Sequence, residues 1–215
     1  MVKSIIFDLD GVIIHTDQFH YQAWQRLADS LGLHFDESIN NELRGVSRMD
    51  SLEIILSHNQ KTYSMIEKEK LISQKNDSYR EFLSTLKPSD IDSNVIDTLR
   101  RLKKNGYKLA IGSSSKNTRY ILEKTQLEHF FDVIVDGTMI THSKPHPEVF
   151  LKAAEELQLS VNECLVIEDA IAGIDAAKSA GMKSCGIGPA SQYCQSDYKL
   201  NRMSDILDII KDTLQ

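Results

Sequence analysis

Short β-branched and aromatic runs punctuate the chain at Val2 to Phe7, Tyr107 to Ile111, Phe131 to Val135, Cys164 to Ile167 and Met182 to Ile187, and each reads as a strand. Between the later runs lie Asn94 to Lys104, Asn117 to Thr125, Pro147 to Leu157 and Ala170 to Ala180. Their apolar residues recur at i, i+3 and i+4, which predicts helices. Strands alternating with helices of this length imply βαβ units, hence a parallel sheet and an α/β, doubly wound, Rossmann-like fold. The stretch from Thr16 to Leu86 breaks that rhythm, because helical spacing continues with no strand between. Its first helix carries Phe19, Ala23, Trp24, Leu27 and Leu31 on one side, with Gly32 as a stop. A later helix is expected from Met65 to Leu86, where Lys87-Pro88 ends the insertion. The expected organisation is therefore a core of residues 1–15 and 87–215 interrupted by an inserted α-helical cap domain, residues 16–86. Met203 to Leu214 reads as a closing helix.

Composition narrows the classes of function. The 215 residues are 41% hydrophobic and 26% charged, with 10 Gly and 4 Pro, which excludes disordered and collagen-like chains. A formal net charge of -6 leaves no global basic field for nucleic acid or anionic lipid, so an anionic substrate must be held by local charges. No apolar run approaches the roughly 18 residues of a membrane span, and the first residues lack a signal-peptide core. These observations lead us to expect a cytoplasmic protein with neither nucleic-acid nor membrane partner. Cys164, Cys185 and Cys194 contain no Cys-x-x-Cys pair, and the first two sit in apolar runs where a buried, reduced thiol is expected.

Four short motifs stand at or near predicted strand ends. Asp8-Leu9-Asp10-Gly11 follows the first strand. In an extended segment Asp8 and Asp10 point to one side, so one could be a nucleophile and the other a general acid/base, unless both are solvated loop acids. Ser113-Ser114-Ser115-Lys116-Asn117 offers hydroxyls, a cation and the start of a helix, either as a phosphate cradle or as an ordinary helix cap. Ser143-Lys144-Pro145 supplies a lysine in a loop. Glu168-Asp169 follows the fourth strand and, with Asp8, offers hard oxygen ligands for Mg²⁺. In a parallel sheet all four motifs come to one edge.

That order resembles the haloacid dehalogenase superfamily, whose members transfer phosphoryl groups through an aspartyl phosphate. The insertion carries Thr16, His20, Trp24, Arg44-Gly45-Val46-Ser47-Arg48-Met49-Asp50-Ser51-Leu52 and Lys75-Asn76-Asp77, which is similar to the sugar phosphomutases of that superfamily. The resemblance covers essentially the whole chain. It implies a Mg²⁺-dependent phosphomutase that interconverts β-glucose 1-phosphate and glucose 6-phosphate by way of the 1,6-bisphosphate. By the same resemblance Asp8 is the nucleophile, Asp10 the general acid/base, and Ser113 and Lys144 hold the transferring phosphoryl group. The metal falls on Asp8, the backbone carbonyl of Asp10, Glu168 and Asp169. Ser115, Lys116, Asn117 and Arg48 hold the second phosphate. Thr16, His20, Gly45, Val46, Ser47, Ser51, Lys75 and Asn76 complete the substrate-binding set, and Trp24 is assigned to the cap's core.

The chain departs from the family pattern at His15, where an aspartate is usual at the cap hinge, and at Arg44, where a lysine is usual. The tail after Gly188 is also poorly patterned. Two rival readings keep the same scaffold: a sugar-phosphate phosphatase, in which water attacks phospho-Asp8, and a phosphosugar-binding protein without turnover. The substrate expected in each case is a small phosphosugar. An opening and closing cap makes a monomer the simpler expectation.

Overall fold

The computed structural model describes residues 1–43 and 46–212, and Arg44, Gly45 and residues 213–215 lie outside it. Its centre is a parallel sheet of β1 (Ser4–Phe7), β2 (Lys108–Gly112), β3 (Val133–Val135), β4 (Cys164–Glu168), β5 (Lys183–Gly186) and β6 (Tyr198–Lys199). The six strands lie in the order β3-β2-β1-β4-β5-β6. This is the doubly wound order whose direction of winding reverses between β1 and β4, and open α/β sheets bind ligands in the crevice at that reversal. Phe7 is registered against Ile111 on one side and Ile167 on the other. Asp8 and Glu168 therefore leave the sheet side by side.

Both faces of the sheet are covered, which is why its strands read as unbroken apolar runs rather than alternating ones. Ile5, Phe7, Leu109, Ile111, Leu165 and Ile167 form one core. Against them pack α5 (Ser93–Lys104), α6 (Thr118–Thr125) and α9 (Ile206–Asp212). Ile6, Ala110 and Val166 point the other way, to α7 (Glu148–Leu157) and α8 (Ile171–Ser179). Close approach matters on this second face: a Cβ at Gly112 would meet the Phe150 ring at 2.9 Å.

Residues 17–83 form α1 (Asp17–Leu31), α2 (Glu37–Glu42), α3 (Arg48–His58) and α4 (Met65–Leu83). Trp24, Leu27, Phe35, Ile39, Leu52, Ile55 and Leu71 close a cluster of their own between these helices. The ends are set by local chemistry. Gly32 takes the left-handed conformation (φ 63°) that ends α1, the Ser47 hydroxyl accepts the Asp50 N–H at the start of α3, and Ser64 with Glu67 forms a capping box for α4. That helix ends at Leu83 rather than Leu86, and the following residues make turn bonds instead. No described helix is long and apolar enough to cross a membrane.

The tail differs most from expectation. The segment after Gly188 folds into a 3₁₀ turn and then β6, where Tyr198 and Lys199 pair with Cys185 and Gly186. Two residues are too few to leave a periodic signal, and tertiary pairing alone makes them a strand. The closing segment begins as a 3₁₀ turn at Met203–Asp205 and becomes helical only from Ile206. Cys164 and Cys185 are buried as expected, and Cys194 is exposed.

Candidate functional site

Immediately after β1 the chain folds back on itself: the Gly11 N–H donates to the Ile14 carbonyl at 2.7 Å and the Ile13 N–H to Leu9 at 2.9 Å. Gly11 sits at φ +85°, and a Cβ there would run into the Asp169 carboxylate. Glycine is thus required twice, for the turn and for the approach of an acid. The loop buries Leu9 and turns Asp8 and Asp10 into one cavity. Burial first, and repulsion from Asp8 second, raise the Asp10 carboxyl to about 7. The Thr16 hydroxyl donates to Asp10 Oδ1 and opposes that rise.

Lys144 reaches the same place from the loop before α7, where its peptide bond to Pro145 is cis. Its Nζ donates to Asp8 Oδ1 at 2.5 Å and to Glu168 Oε1 at the same length. Burial disfavours the ammonium, but Asp8 and Glu168 together override it and hold Lys144 above the ordinary lysine range. Glu168 is pushed upward by burial and by Asp8, against the pull of Lys144. Oxygens of Asp8, Glu168 and Asp169 lie within 4.8 Å of one another, and all three residues are buried. Three carboxylates set against one ammonium form an all-oxygen donor set with negative charge in excess, which fits Mg²⁺. A Cβ at Gly173 would overlap the Glu168 carboxylate, so α8 is built to leave room for it.

On the β2 side, Ser113 and Ser115 are partly engaged by their own loop. The Ser115 N–H donates to Ser113 Oγ at 3.1 Å and the Asn117 N–H to Ser115 Oγ at 3.2 Å. Asn117 stands at the start of α6 with no side-chain cap bond, and its amide instead donates to Asn76 Oδ1 on α4 at 2.9 Å. Among the described residues no side chain caps α6, the Ser113 and Ser115 hydroxyl oxygens order the loop, and Ser113 to Asn117 line the cavity.

The helical insertion closes the cavity from above with Val46, Ser47, Arg48, Ser51 and Lys75. Lys75 is only 2% exposed, lies 4.9 Å from the centre of the Trp24 ring and 4.7 Å from that of Tyr79, and has its Nζ 2.9 Å from His20 Nδ1. Burial, with Arg48 adding to it, pushes Lys75 well below the usual lysine range, while burial and Lys75 together push His20 down. Burial also lowers the Arg48 guanidinium.

Asp8, Asp10, Ser113, Lys144, Glu168 and Asp169 from the core, and Arg48, Lys75, His20 and Trp24 from the helices, thus line one cleft of about 440 Å³. Ser115, Lys116, Asn117, Val46, Ser47 and Ser51 line it too. Two residues expected at the substrate are not among those that line the cleft. Thr16 is fully buried, stands just before α1 without capping it through its side chain, and donates to Asp10. Asn76 does not line the cleft and is engaged by Asn117. Gly45 and Arg44 lie outside the described residues. Trp24 belongs to the helical cluster and lines the cleft as well.

Sequence reading missed Tyr79, whose ring centre is 4.0 Å from that of His20. It also missed Arg80, which lies over the Tyr120 ring at 4.3 Å and donates to Asn117 Oδ1 at 3.4 Å. The spacing of four between Lys75 and Tyr79 was a usable signal. The Arg80 contact spans the two halves of the fold and left none.

Comparison with known proteins agrees with this geometry. Residues 5–187 match the family model of haloacid dehalogenase-like hydrolases. The chain is 39% identical, over 95% of its length and 92% of the relative's, to a beta-phosphoglucomutase of Bacillus subtilis. It is 30% identical to a phosphorylated carbohydrates phosphatase of Thermotoga maritima, over 85% of this chain and 83% of that one. Among solved structures, a beta-phosphoglucomutase of Clostridium difficile superposes with a TM-score of 0.92 at 35% identity, covering 99% of this chain and 96% of the other.

Proposed function

The chain belongs to the haloacid dehalogenase-like hydrolase family, and from that premise we propose that it acts as a β-phosphoglucomutase, interconverting β-D-glucose 1-phosphate and glucose 6-phosphate through phospho-Asp8 and the 1,6-bisphosphate. The observation that carries the reading is the presence of Arg48, Lys75 and His20, all from the helical insertion, in the same cleft as Asp8 and Asp10. A hydrolase has to hold one phosphate against a water. A mutase must retain a bisphosphate while it turns end for end, and the Arg48 guanidinium with further hydrogen-bonding side chains opposite the nucleophile serves that need. Residues 16–86 act as the cap over a core of 1–15 and 87–215, and the enzyme works as a cytoplasmic monomer on a small phosphosugar.

An oxygen of Asp8 attacks the phosphorus of a sugar phosphate in line, a P–O bond to Asp8 forms, and the bond to the sugar oxygen breaks. Asp10 gives its proton to that leaving oxygen. In the return direction Asp10 takes the proton from the attacking hydroxyl, whose oxygen then carries the phosphoryl group away from Asp8. A carboxyl near 7 populates both forms at neutral pH, as a group that alternates between donor and acceptor requires. Lys144 offsets the charge on Asp8 and on the transferring group, with Ser113 donating to its oxygens, and Ser115, Lys116, Asn117 and Arg48 hold the other phosphate. Bound Mg²⁺ would be held by Asp8, Glu168, Asp169 and the Asp10 carbonyl, and supplies charge neutralisation at the phosphoryl oxygens. His20, Lys75 and Tyr79 pack against one another on the helical side of the cleft, and closure of that side over the core would exclude water from phospho-Asp8.

The deciding assay gives the protein β-glucose 1-phosphate and Mg²⁺, with and without a trace of 1,6-bisphosphate, and follows glucose 6-phosphate and inorganic phosphate together. Isomer formation stimulated by the bisphosphate, with little phosphate released, is the expected result. Stoichiometric phosphate release without isomer would make the protein a phosphatase, the activity of its Thermotoga maritima relative.

A further inference from the structure

Outside the cleft, the loop that carries Lys144 brings two imidazoles and a carboxylate together. His142 Nδ1 lies 3.2 Å from Glu148 Oε2, His146 Nδ1 lies 4.0 Å from the same oxygen, and the two imidazole ring centres are 4.6 Å apart. One ligand atom from each of the three residues falls within 4.8 Å of the others. In a tetrahedral zinc site with bonds of about 2.0–2.1 Å, neighbouring ligand atoms stand roughly 3.4 Å apart, so the cluster needs only a small contraction to reach that geometry.

The carboxylate is already oriented. Its two oxygens accept the backbone N–H groups of Thr141 and His142 at 2.8 Å each, the kind of outer support that aims metal ligands. Those bonds also hold Glu148 below the usual carboxylate range, so it stays ionised. The Glu148 N–H donates to His146 Nδ1 at 3.3 Å, so an ion on that ring takes Nδ1 in place of this long bond or binds the other tautomer through Nε2. His142 Nδ1 and Glu148 Oε2 face each other, with the His146 ring beside them. Both histidine side chains are at least half exposed, which gives an ion direct access.

We propose that His142, His146 and Glu148 form a site for a divalent transition-metal ion of the zinc class, separate from the carboxylates of the cleft. Imidazole nitrogens select such ions over Mg²⁺, which prefers oxygen alone. Three protein ligands leave a fourth position for water. Because His142 and His146 stand two residues before and after Lys144, a bound ion ties both flanks of the loop that delivers Lys144 to Asp8. The two histidines also share a shallow cavity with Ser47, which precedes α3, and Asp50 of α3, so the ion sits at the seam between the helical insertion and the core.

Equilibrium dialysis of the full chain against micromolar Zn²⁺ in excess Mg²⁺ tests this, with Asp169→Asn as the background that weakens the cleft site. We expect one equivalent of Zn²⁺ retained there and lost from the His142→Ala/His146→Ala double variant, with circular dichroism unchanged. Equal retention in both proteins would overturn the site. Should the double variant misfold, Cu²⁺ electron paramagnetic resonance on the unsubstituted chain and on His146→Gln alone decides the matter. Nitrogen splitting that diminishes in His146→Gln supports the site, and a spectrum showing oxygen ligation only, or one identical in both proteins, refutes it.

Discussion

Replacing Thr16 by valine removes one hydroxyl and conserves shape at a fully buried position. The substitution costs α1 no capping bond, because the Thr16 side chain makes none. What it removes is the donor to Asp10 Oδ1, the group that restrains the upward shift caused by burial and by Asp8. A hydrogen bond to a charged group contributes about 1.5–3 kcal/mol, and one pKa unit corresponds to about 1.4 kcal/mol. Loss of the donor should therefore lift the Asp10 titration by roughly 1–2 units from its starting point near 7. The assay is the pH profile of kcat/KM for glucose 6-phosphate formation, at saturating Mg²⁺, for both proteins. In the direction where Asp10 acts as base, the acid limb should move up in pH while the plateau at high pH stays within a few-fold. A limb that stays in place, or moves down, would show that Asp10 is not the titrating acid/base or that Thr16 does not control it.

Other perturbations follow from the same geometry. Asp10 has a folded-state pKa above its unfolded value, so its ionisation opposes folding: stability falls as pH rises from about 4 to about 7. Asp10→Asn should remove that fall and gain about 1–3 kcal/mol at pH 8 in chemical denaturation, a figure reduced because the carboxyl faces the open cleft; an unchanged pH dependence would contradict the shift. Lys144→Met leaves Asp8 and Glu168 without their shared ammonium. It should cost about 3–5 kcal/mol, or roughly 10 °C in Tm, with partial recovery in Mg²⁺ or at lower pH, where the raised Glu168 takes up a proton. Recovery by neither condition would argue against a shared carboxylate centre. Gly173→Ala drives a methyl into the Glu168 carboxylate and should weaken Mg²⁺ binding about 10–100-fold by calorimetry, with the fold retained. Unaltered affinity would remove Glu168 from the metal set.

Much of this was readable from residue order. The apolar runs located five strands and the 3.6-residue spacing located the helices between them, because a two-sided parallel sheet demands unbroken apolar strands and amphipathic covers. Asp8, Asp10, Glu168 and Asp169 were legible because a doubly wound fold delivers strand ends to one edge. That the Thr16 side chain turns to Asp10 and Asn76 accepts from Asn117 was not legible, because spacing along a helix says which residues share a face, not what lies opposite. β6 escaped because Tyr198 and Lys199 become a strand only by pairing with Cys185 and Gly186.

By itself, then, the sequence determined the architecture and the chemical inventory of the cleft, since both arise from local periodicity and from residue type. Tertiary structure alone decided which carboxyl is raised toward neutral pH and which lysine is held below its ordinary range. Asp10 is raised by burial and by its nearness to Asp8, Lys75 is lowered by burial and by Arg48 of α3, and Lys144 is held charged by two acids far away in the chain. The physical reason is that a pKa responds to desolvation and to charges a few ångströms away, and only the folded chain sets those distances.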